Sequence, residues 1–239
     1  MAFGRQRRAP EPPVEPVPWQ GIEKFVVSDV EQPATFRRKA VTGPRAIRVP
    51  LPGPKGQRFI PAALVVQADV EVKAYEIRDA RSPGAPICAL APLIVGGRGG
   101  ERYRVTDAQG QEIGTVHRTG ATKRTIQHTW WFRQPDYPDI VARYHWAKGS
   151  AKDVATRGKA AAARQAESLV DSVVDSLLLG GDDSGGGGNY VHKPVTWRAG
   201  EEEVALESGH TDQGVKTYMP KADWLDLRLV FALAVLRAG

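Results

Sequence analysis

The stretch WLDLRLVFALAVL, residues 224–236, is apolar at eleven of its thirteen positions. From Leu229 to Leu236 no polar residue occurs, so a helix here would carry apolar side chains on every side. Such a helix must be surrounded, and these residues are far fewer than the ~20 that span a bilayer. The stretch therefore predicts a helix from about residue 222 to 236 that is enclosed by protein.

A repeated hairpin pattern indicates what surrounds this helix. The sequence YEIRDA at 75–80 recurs as YRVTDA at 103–108, and a glycine follows each copy. In each copy the tyrosine and the β-branched residue two positions later share one face of a strand. The aspartate can bond the amides of its own turn, and the glycine can take a positive φ. Two such hairpins predict a meandering antiparallel sheet or barrel.

The predicted fold is mainly β (β+α). It is an antiparallel β-barrel that encloses the hydrophobic C-terminal helix and has no open sheet edge, with an inserted amphipathic helix. Residues 1–20 are expected to form a disordered, basic, proline-rich tail, and residues 21–58 a peripheral extension with short strands. The barrel domain spans 59–239, interrupted by a helical insertion and a glycine-rich linker at 150–189.

The insertion contains residues that are candidates for contact with a protein partner. Its apolar residues recur at helical spacing, its basic residues lie toward its start and its acidic residues toward its end. This arrangement is self-complementary for antiparallel pairing, so the helix is expected to pack on the barrel or on a second copy of the chain. The candidate contact residues are Leu169, Val170, Val173, Val174 and Leu177.

The paired hairpins and the apolar C-terminal helix resemble the tubby-like superfamily, which includes the tubby C-terminal domain, phospholipid scramblases and LURP-one-related proteins. The resemblance covers residues 59–146 and 190–236. It implies a twelve-stranded barrel with the helix threaded through it and, as in some members, binding of phosphoinositides or action at membranes. The chain has no acidic calcium loop and no cysteine cluster for acylation, so scramblase activity is not carried over.

Composition and motifs limit the chemistry. The single cysteine, Cys88, excludes an internal disulfide and a thiolate zinc cage. The glycine-rich run at 96–100 precedes a strand, whereas a phosphate loop precedes a helix. The histidines lack metal-ligand spacing. We therefore expect a non-enzymatic protein with no cofactor and no metal. The N-terminal arginines are followed by prolines in place of an apolar run, which predicts a cytoplasmic protein, with the membrane periphery as a further location.

The candidate binding surface combines cations with tryptophans. It consists of Arg118, Lys123, Arg124, Trp130, Trp131 and Arg133. Such a surface suits lipid headgroups or single-stranded nucleic acid. The alternative is that one tryptophan belongs to the core while the other lies at the edge of the barrel.

The chain has a net charge of +6, and residues 1–60 contain 11 basic and 5 acidic side chains. This excess predicts an anionic partner. The function predicted from these features is a tubby-like binding or scaffold module that acts at membrane phospholipid headgroups or on a protein partner. One candidate for the protein partner is a second copy of the chain, bound through the inserted helix to form a homodimer. The alternative is a nucleic-acid-binding protein that uses its basic N-terminal half.

Overall fold

The computed structural model describes residues 14–36, 38–53, 56–94, 100–119, 130–144, 195–200, 203–211 and 214–238. These residues form twelve strands and one helix. The strands are β1 (Phe25–Gln32), β2 (Val41–Leu51), β3 (Arg58–Asp69), β4 (Ala74–Asp79), β5 (Pro86–Ile94), β6 (Gly100–Asp107), β7 (Glu112–Thr119), β8 (Trp130–Arg133), β9 (Ile140–Tyr144), β10 (Val195–Ala199), β11 (Glu203–His210) and β12 (Lys216–Pro220). The helix, α1, is Leu227–Arg237.

The twelve strands form a closed antiparallel barrel. Each strand pairs with the strands before and after it in the sequence, and β1 pairs with β12 through Phe25 and Tyr218 to close the ring. Closure gives every strand two hydrogen-bonded neighbours and leaves no free edge. The prediction of a mainly β chain built on an antiparallel barrel is confirmed.

The barrel begins earlier in the chain than the sequence predicted. Strands β1 and β2 were assigned to a peripheral extension at 21–58, but they lie between β12 and β3 in the ring. The residues after Leu51 are rich in Pro and Gly, a composition that is also typical of a linker, and they connect β2 to β3. The same residue types are favoured in a turn between two strands, so they do not distinguish the two cases.

The segment before β1 also differs from the prediction. Residues 1–13 of the predicted tail lie outside the described residues, but residues 14–20 contact the barrel. The amide of Val17 donates to the carbonyl of Pro61 at 3.0 Å. The ring of Trp19 packs edge-on against Phe231, with 6.3 Å between the centroids. The predicted disorder therefore does not hold for this part of the tail.

The repeated hairpins form the turns that the sequence indicated. Asp79 accepts a hydrogen bond from the amide of Arg81 at 2.8 Å, and Asp107 accepts one from Gln109 at 2.9 Å. In the second copy Gly110 has a φ of +81°, as expected. In the first copy Gly84 has no positive φ. The aspartates therefore accept a backbone hydrogen bond in both turns. Only the second turn requires its glycine, Gly110, for a positive φ.

Helix α1 is shorter than predicted because its start is fixed by a cap. The side chain of Asp226 accepts a hydrogen bond from the amide of Arg228 at 2.9 Å, which satisfies one of the free donors of the first turn. The segment 222–226 is therefore a turn that leads into the helix. All seven residues from Leu229 to Val235 are fully buried, and the helix contacts β1, β5, β6, β7 and β12.

Both ends of α1 are hydrogen-bonded to side chains from the barrel. Gln134, directly after β8, donates from Nε2 to the carbonyl of Trp224 at 2.9 Å and accepts from the amide of Asp226 at 2.8 Å. Arg45, in β2, donates from Nη2 to the carbonyl of Val235 at 3.1 Å. These contacts set the direction of the helix relative to the strands.

The antiparallel order sorts the connections between strands into two groups. Connections after even-numbered strands lie at the end where Gln134 holds the start of α1, called here the helix-N end. Connections after odd-numbered strands lie at the opposite end, near Arg45 and the last turn of α1, called here the helix-C end. The predicted insertion at 150–189 falls between β9 and β10, outside the described residues, so its predicted helix and five contact residues stay predictions.

The close approach of Leu229 to Gly114 predicts a strong effect of one methyl group. A Cβ on Gly114 would lie 3.0 Å from Cδ2 of Leu229 and would overlap the carbonyl oxygen of Arg133. Gly114→Ala should therefore lower the free energy of unfolding by about 1–3 kcal/mol, the usual cost of overpacking, in addition to the strain of its φ of +156°, as measured by urea denaturation. Gly110→Ala is the control, because Gly110 also has a positive φ but no heavy atom lies within 4 Å of its Cβ position. Equal stability of the two variants would contradict this packing.

Candidate binding site

The structure does not bring the predicted surface residues together. Lys123 and Arg124 lie outside the described residues. Arg118 pairs with Trp130 across β7 and β8, and His117 pairs with Trp131. Since successive residues of a strand point to opposite faces, the two tryptophans are on opposite sides of the sheet. Trp130 is 5% exposed and belongs to the core. The predicted surface is therefore two separate clusters, and the alternative with one core tryptophan describes the site better.

The outer cluster consists of Trp131, His117 and Arg133. The rings of His117 and Trp131 are stacked, with 3.6 Å between centroids and 9° between planes. The guanidinium of Arg133 lies 5.8 Å from the Trp131 centroid. Arg133 also forms two hydrogen bonds to Asp139, at 2.7 and 3.1 Å. The carboxylate of Asp139 thus balances the positive charge of Arg133, and the ring of Trp131 is already stacked on His117.

The imidazole of His117 is held in its neutral form. The pKa of His117 is lowered to about 4. Burial is the main cause, and the positive charges of Arg102 and Arg133 contribute in the same direction. Its Nε2 lies 2.8 Å from Oγ1 of Thr115. The outer cluster therefore gains no charge from this histidine at neutral pH.

The lowered pKa of His117 predicts a pH dependence of stability. The unfolded chain, with the ordinary histidine pKa of 6.5, binds a proton at pH values where the folded protein does not. The contribution of His117 is therefore complete above pH 6.5 and is lost as the pH falls toward about 4. His117→Gln should flatten the dependence of the unfolding free energy over this range.

An NMR titration of the His117 ring protons tests the same point directly. The ring should remain neutral until the pH approaches about 4. A midpoint near the ordinary value, together with an unchanged pH profile in His117→Gln, would contradict the assignment.

The inner cluster lies on the opposite face of the same strands. Arg118 is 3.7 Å from Glu101 and lies 5.5 Å from the centroid of the Trp130 ring. The hydroxyl of Tyr103 donates to Glu101 at 3.1 Å. Burial, followed by the charge of Glu101, raises the pKa of Tyr103, so its hydroxyl stays protonated. Arg118 is near the end of β7 and Trp130 begins β8, which places this cluster at the helix-C end.

Two further arginines lie at the same end of the barrel, and neither was predicted. Arg45 is 5.7 Å from the centroid of the Tyr75 ring. Arg237, in the last turn of α1, is 5.1 Å from the centroid of Trp197 and 5.9 Å from that of Tyr218. We call Arg45, Arg118 and Arg237 the arginine cluster. The sequence offered one signal: Arg237 is the first charged residue after an uninterrupted apolar run.

Several donors in this region have no acceptor among the described residues. Nε and Nη1 of Arg237 are buried without a hydrogen bond, and so is Nε1 of Trp130. Most buried donors in folded proteins are paired, and a buried unpaired donor costs about 1–3 kcal/mol. An acceptor oxygen that reached these donors would remove this cost.

The helix-N end shows a different arrangement. Arg228 and Asp226 form an ion pair at 2.7 Å. The sulfur of Cys88 lies 4.0 Å from the carbonyl oxygen of Arg228, and burial raises the pKa of this thiol to about 12. A nucleophilic cysteine needs its thiolate form, so Cys88 is suited to packing and is not activated at neutral pH.

The comparisons with known proteins give no match. No protein-family model, curated protein or solved structure matches this chain. Within the described ranges, no three His, Cys, Asp or Glu side chains are grouped so that they could hold a metal ion. Nor does that part of the chain contain a helix of the length and apolarity needed to cross a bilayer. The candidate site is therefore argued from its geometry and charge.

Proposed function

We propose that this protein is a non-enzymatic binding module of the tubby-like type, that α1 lies inside its barrel, and that its helix-C end binds anionic phospholipid headgroups. The observation that carries the proposal is the unequal charge of the two ends of the barrel. The position of α1 determines which residues face the ligand.

The contacts of α1 support its placement inside the barrel. The helix touches β1 and β12, which are neighbours in the ring, and also β5, β6 and β7. Strand β6 is nearly opposite β1 in a ring of twelve. A helix on the outer surface would contact one side only. Contact with opposite sides, together with the full burial of residues 229–235, is what a central helix requires.

The sequence places opposite charges at the two ends. Among the described residues, the connections after odd-numbered strands contain three basic residues and one acidic residue. Those after even-numbered strands, including the segment before α1, contain two basic and four acidic residues. The helix-C end is therefore positive and the helix-N end negative, and the arginine cluster lies at the positive end.

An anionic membrane surface fits this distribution. Basic residues close to such a surface each contribute about 1 kcal/mol of attraction, and a barrel charged at one end would approach with that end first. The nucleic-acid alternative is less well supported, because it needs aromatic rings on which bases can stack. Trp130 is buried, and Trp131 is already stacked on His117.

Cosedimentation with vesicles tests the proposal. Two variants change the net charge equally at opposite ends: Lys39→Glu with Lys73→Glu at the helix-C end, and Arg81→Glu with Lys221→Glu at the helix-N end. The first pair should reduce binding to phosphatidylserine vesicles more than tenfold, at about 1 kcal/mol for each basic residue lost. The second pair should have a much smaller effect.

The outcomes separate the alternatives. Absence of binding to phosphatidylserine vesicles, or an equal loss in both double variants, contradicts the proposal. Tighter binding of single-stranded DNA than of vesicles at the same salt concentration would favour the nucleic-acid alternative. Deletion of residues 1–13 should leave vesicle binding in place, since the tail precedes the barrel. Loss of all binding in this deletion would assign the attraction to the tail.

A further inference from the structure

Arg237, in the last turn of α1, is a half-buried residue with guanidinium N–H groups that are unpaired in the residues that the structure describes. Within the described part of the chain, no carboxylate pairs with Arg237 and no acceptor reaches its Nε or Nη1. Its guanidinium contacts the faces of two rings, Trp197 and Tyr218. Ring faces attract a cation. The N–H groups of the guanidinium point outward in its own plane, however, so the rings do not accept hydrogen bonds from them.

The surroundings hold this guanidinium in a fixed place. Trp197 is fully buried, and its Nε1 donates to Oγ of Ser208 at 3.1 Å, which fixes the indole. Tyr218 is 1% exposed and stacks on Phe25, with 5.4 Å between ring centroids. Because these rings are anchored by the core, Arg237 is oriented before any ligand arrives. A preoriented donor loses less conformational entropy on binding.

Arg45 and Arg118 add charge near the same end. Arg45 donates to the carbonyl of Val235, two residues before Arg237. Arg118 is near the end of β7, which runs toward the helix-C end. Glu101 is the carboxylate beside Arg118. Arg45, Arg118 and Arg237 lie at the same end of the barrel, and this positive charge favours an anion over a neutral acceptor.

We propose that Arg237, between Trp197 and Tyr218, binds a phosphate monoester that enters the barrel from the helix-C end. Nε and Nη1 lie on different edges of the guanidinium plane, so one phosphate group can form two parallel hydrogen bonds either with Nε and Nη2 or with Nη1 and Nη2. A tetrahedral phosphate group presents several acceptor oxygens and forms strong charge-assisted hydrogen bonds with arginine. The phosphate belongs either to a lipid headgroup or to a free molecule. If the phosphate belongs to a lipid headgroup, this assignment rests on the proposed function. If it belongs to a free molecule, the assignment does not depend on the proposed function.

The test uses the full chain and two probes. Inorganic phosphate is titrated while the indole N–H signals of Trp197 and Trp130 are followed by NMR. Vesicles that contain phosphatidic acid, a phosphate monoester, are compared with vesicles that contain phosphatidylserine, a diester. The expected result is a saturable shift of the Trp197 signal with phosphate, or a preference for phosphatidic acid, and in either case a dependence on Arg237.

The variants are matched within one helix. Arg237→Gln should weaken binding of the monoester by about tenfold or more, because the charge-assisted hydrogen bonds are lost. Arg237→Lys should restore part of the affinity, since it keeps the charge without the planar fork. Arg228→Gln, at the other end of α1 and paired with Asp226, should leave monoester binding unchanged. Near-UV circular dichroism of each variant verifies that the aromatic core is intact.

The outcomes for the site and for the proposed function are distinguishable. If phosphate binds through Arg237 and no vesicle is bound, the site stands with a free phosphate compound as its ligand, and the membrane function fails. If vesicles bind without preference for the monoester and folded Arg237→Gln behaves as the wild type, the site is overturned and the membrane function stands. Equal losses in Arg228→Gln and Arg237→Gln also overturn the site.

Discussion

The structure depends on keeping the seven residues from Leu229 to Val235 away from water. They are apolar on every side of α1 and fully buried, and burial of each large side chain stabilises the fold by about 1.5–3 kcal/mol before the entropy cost. A single flat sheet would cover only one side of such a helix. A closed sheet can offer neighbours in several directions, and α1 contacts both β1 and β6. The close approach at Gly114 is one consequence of this packing.

The direction of α1 follows from polar contacts. Gln134 binds the segment that leads into the helix, and Arg45 binds the carbonyl of Val235 near its end. Reversal of the helix would remove both contacts and bring the Asp226 cap to the other end. Arg237 is in the last turn of α1, where a cation interacts favourably with the free carbonyl groups. Thus a few hydrogen bonds decide that Arg237 lies at the same end of the barrel as Arg45 and Arg118.

The antiparallel order has a second consequence, which concerns charge. Because each connection reverses the chain, alternate connections collect at alternate ends, and the sequence gives the two sets opposite net charge. The alternation along each strand sorts side chains in the same way between the inner and outer faces. Arg118 and Trp130 therefore contribute to the interior, while Arg133 and Trp131 lie outside, where Asp139 and His117 already contact them. Connections thus alternate between the two ends of the barrel, and side chains alternate between its two faces. Together these alternations give the two ends the different charge on which the proposed binding at one end depends.

The sequence by itself determined the β class, the antiparallel hairpins and the burial of the C-terminal helix. These follow from local signals, namely the Asp turns at 79 and 107 and an apolar run too short for a bilayer. It did not determine that β1 and β2 belong to the ring, because Pro and Gly are used both in a linker and in a barrel turn. Nor did it bring Arg237 to the rings of Trp197 and Tyr218, or separate Trp130 from Trp131. Only the tertiary structure decided those positions, since they depend on the register between strands distant in the sequence and on the direction of α1.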